Sequence, residues 1–68
     1  MKIRRKKLFE TLEKKNMTAY SLAREISYKP QAVYNWLYGI GTPGPAVMLR
    51  LIRILDVTAE ELLRMFAE

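Results

Sequence analysis

Apolar positions along the chain fall at helical spacings in five groups, separated by polar or Gly/Pro-containing breaks, with no strand-like alternation of useful length. An all-α fold is predicted. The first group, Arg4 to about Lys15, sets Leu8, Phe9 and Leu12 on one face and stops near Asn16, a residue that tolerates the left-handed backbone following a helix. Thr18 is the predicted N-cap of a second helix, Ala19 to Ile26, whose Leu22, Ala23 and Ile26 share one side. After a short turn of Ser27, Tyr28 and Lys29, Pro30 opens a third helix at a position where its missing N–H costs nothing, and Gly39 closes it after Tyr38. Its inward stripe is Val33, Trp36 and Leu37.

The stretch from Gly39 to Pro45 holds three Gly and two Pro and must be a loop. Gly44 and Pro45 restart the chain as N-cap and first helical residue. The fourth helix, Ala46 to Leu55, is apolar over most of its circumference, relieved only by Arg50 and Arg53, so it is expected to be central, with Met48, Leu51, Ile52 and Leu55 in the core. Thr58 and Glu61 form a capping box for a fifth helix, Ala59 to about Ala67.

With 68 residues and half of them apolar, the chain is expected to form one domain, residues 1–68, with a thin core. A thin core raises the expectation of a second copy. There is no Cys and no His, which removes disulfides, thiolate zinc sites, cysteine nucleophiles and the commonest general base and metal ligand. The carboxylates at 10, 13, 25, 60 and 61 belong to separate solvent faces, so no catalytic set, metal site or cofactor is expected. No apolar run approaches the roughly 20 residues of a membrane span, and the basic start lacks the apolar stretch of a signal peptide. The expected location is cytoplasmic.

Charge changes the picture more by its placement than by its total of +5. Residues 1 to 39 carry nine basic and three acidic side chains, while residues 40 to 68 carry three basic and four acidic. The first half, at +6, is suited to a polyanion. Five basic residues between Lys2 and Lys7 oppose the dipole of the helix they begin, which points to a use other than helix stability, with phosphate the simplest partner.

Two short helices joined by a tight turn, the second with a small polar outer face, form the helix-turn-helix unit that lays its second helix in a major groove. From Asn16 to Leu63, NMTAYSLAREISYKPQAVYNWLYGIGTPGPAVMLRLIRILDVTAEELL, the chain resembles without a gap the Cro/CI-type helix-turn-helix family of phage and bacterial repressors. Leu8, Phe9 and Leu12 extend the likeness over helix one. Leu22, Ala23 and Ile26 match its positioning helix, Val33 and Trp36 its buried recognition-helix positions, Gly39 the end of that helix, Pro43 the following loop, and Asp56-Val57-Thr58 the approach to helix five. The QAVYNWL stretch is similar to Cro-like members in particular. The resemblance implies a five-helix lambda-repressor-like DNA-binding domain with a central helix-turn-helix.

Three positions depart from the family pattern. Ser27 stands where the family has Gly in the turn, so the backbone there is either strained or not at positive φ. Ala19 replaces a Gln that many members direct at a phosphate. Leu12 and Leu37 occupy the places of a family Arg–Glu pair, and an apolar pair of similar size can replace a buried ion pair without loss.

Gln31 and Asn35 lie one turn apart on the outer face of helix three, and either amide can bond adenine N6 and N7 together. The same side chains would also serve as ordinary solvated groups; the basic half and the resemblance favour base reading, with A·T pairs expected under both. Ala32 suits a thymine methyl or is simply a good helix former. Lys29 suits a phosphate or a guanine edge. Lys6, Lys7, Thr18, Tyr28, Tyr34 and Tyr38 are the candidate phosphate contacts, with partial burial against helix four or the first helix the alternative for the tyrosines, Tyr28 above all. Val47, Ile54, Leu63 and Phe66 exceed what one small core readily holds and are the candidate dimer contacts.

The expected function is a sequence-specific double-stranded DNA-binding transcription regulator, a Cro-like repressor acting as a homodimer on a two-fold operator. Competing readings are an antitoxin-type autoregulator that also holds a toxin or co-regulator, a helical interaction module without a DNA role, and, with no supporting motif, RNA binding through the basic face.

Overall fold

The computed structural model describes residues 2–68 and contains five α-helices: α1 Lys6–Lys14, α2 Ala19–Glu25, α3 Pro30–Leu37, α4 Pro45–Leu55 and α5 Ala59–Phe66. Among the described residues there is no strand. α2 packs chiefly on α3, α1 on α3 and α5, and α4 on α5. One core joins Leu8, Leu12, Leu22, Ile26, Val33, Leu51, Leu55 and Leu62, all essentially inaccessible to solvent. Within it, Leu12 and Leu37 are both buried, as an apolar replacement of an ion pair requires.

The helix ends explain where the breaks fall. Thr58 accepts from the Glu61 N–H at 3.1 Å while Glu61 accepts from the Thr58 N–H at 3.0 Å, the capping box expected from their spacing. Thr18 caps α2 in the same way, with Ser21 in the role of the fourth residue. α1, α2 and α3 each end in a Schellman motif, with Asn16, Ser27 and Gly39 in the left-handed position at φ +55, +55 and +84. Ser27 therefore takes the strained alternative: it holds the backbone of a glycine without being one. Asp56 ends α4 at φ +55, which its side chain tolerates better than most.

Four expectations need correction. α1 starts at Lys6 rather than Arg4, because the Arg4 and Arg5 N–H groups both donate to Leu37 O, at 2.9 and 3.1 Å, and so leave the helical path. Arg5 is not a free cation for phosphate but is 6% exposed. Phe9 lies at the margin of the core, 36% exposed, and Met48 and Ile52 are only half-buried because α4 turns part of its apolar surface outward. Val47 and Phe66, 8% and 7% exposed, belong to the chain's own core, since Phe66 packs its edge on Trp36 at 6.0 Å.

Candidate nucleic-acid interface

α2 and α3 make the helix-turn-helix, and contacts from outside the unit hold both of its helices at their C-terminal ends. Neither helix ends with all its carbonyls satisfied from within. Arg50 of α4 donates from Nη1 to Ile26 O at 2.9 Å, closing α2 just before Ser27. Arg5 donates from Nη1 to Trp36 O at 3.1 Å and to Gly41 O at 2.5 Å, closing α3. With the Ile40 N–H on Asn35 O, the Gly39 N–H on Trp36 O and the N-terminal amides on Leu37 O, the last turn of α3 has its acceptors occupied. No basic residue stands in the last turn of α3 itself, so Arg5 also supplies the positive charge that the helix C-terminus favours. Charge counting along the sequence could not separate buried Arg5 from its solvated neighbours.

The outer face of α3 carries the candidate base readers. Gln31 and Lys29 are exposed, Asn35 and Ala32 half-buried. Lys29 is the extended N-cap residue of α3, its side chain making no cap hydrogen bond. Gln31 donates from Nε2 to Asn35 Oδ1 at 3.0 Å, so the two amides form one linked unit along the helix.

Aromatic side chains flank this unit. Tyr28, 46% exposed, stacks on Trp36 of α3 with ring centroids 5.7 Å apart. Tyr34 and Tyr38 stack on each other at 6.4 Å. Trp36 itself is buried beneath Tyr28.

The other candidate phosphate contacts are dispersed around the unit. Lys6 and Lys7 are exposed in the first turn of α1, and the Lys7 N–H is taken by the Glu68 carboxylate at 2.7 Å, which places a negative charge where the dipole of α1 favours one. The Thr18 hydroxyl is engaged with Ser21 in capping α2. Ala19, at the family's Gln position, is buried and lines an open apolar groove of about 420 Å³ with Phe9, Met17, Tyr34 and Tyr38. Of the candidate dimer contacts, Leu63 is 62% exposed and Ile54 half-buried; Leu49, 64% exposed, is an outward apolar residue that spacing alone does not single out. Among the described residues no cluster of metal-ligating types occurs and no helix is long and apolar enough to cross a membrane.

Two short helices across a tight turn, the second presenting amides between exposed aromatic and basic side chains, form a helix-turn-helix unit. A family model described as helix-turn-helix matches residues 8–62, and the chain belongs to the Cro/CI-type helix-turn-helix family. It is, at that level, a DNA-binding transcription regulator. No individual curated protein and no solved structure matches it.

Proposed function

We propose that this protein is a Cro-like repressor that binds a two-fold operator as a homodimer, with α3 in the major groove. The linked Gln31–Asn35 pair on the open face of α3, within the basic half of the chain, carries this reading. Lys29, Gln31, Ala32 and Asn35 meet base edges, while Lys6, Lys7, Tyr28, Tyr34 and Tyr38 meet phosphates and fix the register. Thr18 contributes to the phosphate face through the α2 cap that it stabilises.

In this reading each chain meets one half-site, the two half-sites lying ~34 Å, one turn of duplex, apart. Leu49 and Leu63, with half-buried Ile54, are the apolar side chains that a second copy would cover. Selection of bound sites from a random duplex pool, followed by sedimentation of the complex, tests the proposal: a two-fold consensus holding two chains is expected. Binding without sequence preference, or one chain per selected site, would overturn it.

A further inference from the structure

We infer that Arg4 grips a phosphate of the DNA backbone beside the C-terminal end of α3. The inference rests on the proposal that α3 lies in the major groove and adds to it a contact from outside the helix-turn-helix, from the segment ahead of α1.

Arg4 and Arg5 are neighbours with the same side chain, and the fold gives them opposite surroundings. Arg5 is buried and directs its guanidinium at Trp36 O and Gly41 O. Arg4 is exposed, and among the described residues the one ion pair joins Arg64 to Glu60, so no carboxylate neutralises it. The main chain at Arg4 is fixed all the same. Its N–H and that of Arg5 converge on Leu37 O at 2.9 and 3.1 Å, which holds the segment across the last turn of α3.

The side chain is seated as well. Gly39, at φ +84, has no Cβ, and one added there would lie 3.3 Å from Arg4 Cβ and 3.4 Å from Arg4 Cδ. The aliphatic stem therefore runs over the bare backbone that ends α3, and the guanidinium is carried beyond it. Part of the freedom that a long cation gives up on binding is already lost.

Two further points favour the DNA side for this cation. Ile3, one residue earlier, borders the open groove that Tyr34 and Tyr38 line, so the segment passes the aromatic flank of α3. A helix in the major groove has a sugar-phosphate backbone along each side, and a planar guanidinium can bond two oxygens of one phosphate. As a cap for α3 it would be redundant, because the carbonyls of Asn35, Trp36 and Leu37 already have donors.

The test compares the full chain with Arg4→Ala and Arg4→Lys on the duplex recovered by site selection and on random duplex, with thermal denaturation of each protein. Arg4→Ala should weaken binding to both duplexes about tenfold and make the salt dependence shallower by about 0.9, with little change in the melting temperature. Arg4→Lys should restore the salt dependence but only part of the affinity, since an ammonium lacks the fork. Replacing backbone phosphates one at a time with neutral methylphosphonates locates the contact. At one position the replacement should weaken the unaltered protein and have no further effect on Arg4→Ala, every other position acting alike on both. An unchanged salt dependence in Arg4→Ala, with or without a loss of stability, would overturn the inference, as would a loss tied to no single phosphate. Either result would leave groove binding by α3 in place. An unaltered protein that selects no sequence would overturn both.

Discussion

Arg5 and Trp36 are joined by a hydrogen bond of 3.1 Å from the guanidinium Nη1 to the main-chain carbonyl in the last turn of α3. The same guanidinium lies 5.1 Å from the centre of the Phe66 ring, so one side chain ties the start of the chain, the end of the recognition helix and the end of α5 together. Its Nε has no hydrogen-bond partner, a cost borne by a group whose other contacts are buried.

Replacing Arg5 with Ala strips the buried carbonyl of Trp36 of its charged donor and opens a space beside Phe66. We expect a loss of about 2 kcal/mol or more in urea denaturation followed by Trp36 fluorescence. Arg5→Lys should recover only part of it, because one ammonium cannot reproduce the planar fork. A change within about 0.5 kcal/mol would show that the contact contributes little.

Lys6 and Lys7 lie close to Arg5 along the chain but face solvent. Their joint replacement with Ala should leave stability nearly unchanged and weaken binding to all DNA sequences alike. The salt dependence should become shallower by about 0.9 for each phosphate that the variant no longer neutralises. Titrations of specific and random duplex at two salt concentrations measure both effects; weakening limited to one operator position would count against a backbone role.

Ser27 holds φ +55 at the end of α2. Ser27→Gly should stabilise the fold by about 0.5 kcal/mol, the left-handed strain of roughly 1 kcal/mol being partly offset by the greater freedom of Gly in the unfolded chain. Thermal denaturation shows the sign directly.

The Glu61 carboxyl is held below the usual glutamate range, chiefly by the Thr58 N–H, then by the Thr58 side chain, with Arg64 a lesser influence against a small opposing effect of burial. A carboxyl lowered in the folded state stabilises folding above its unfolded-state pKa, and that contribution disappears as pH falls through the folded value. Stability should therefore decline on acidification through and below the usual glutamate range. Glu61→Gln should flatten that part of the profile, as read by denaturation at a series of pH values; an unchanged acid slope would remove Glu61 as a source.

Phe66 and Leu63 should separate folding from assembly. Phe66→Asp places a charge in the core against Trp36 and Arg5 and should cost about 3 kcal/mol or more, unfolding much of the protein. Leu63→Glu should leave the helical signal intact and weaken only the two-chain DNA complex. Sedimentation with and without operator compares them, and an unaffected complex would exclude Leu63 from the interface.

Apolar spacing, Pro30 and Pro45 at helix starts, Gly39 at a helix end and the Thr58–Glu61 box are local signals, and local chemistry was enough to place five helices and the helix-turn-helix between them. These features work within one turn of chain, so their residue types can be read in order. The outer face of α3 was legible for the same reason: with Val33, Trp36 and Leu37 inward, Gln31 faces out and Asn35 lies half-buried beside it. Tertiary structure decided what sequence order leaves undetermined. Arg5 became a cap for α3 because chain folding brings it beside Trp36 O, 31 residues away, while Lys6 and Lys7 next to it stayed in solvent. Phe66 entered the core because Trp36 and Arg5 provide its packing, whereas Leu63, equally apolar, points outward on the same helix. Whether a charged or apolar side chain is buried depends on the partners that meet it across the fold, and those partners are set by packing of distant segments rather than by its neighbours in sequence.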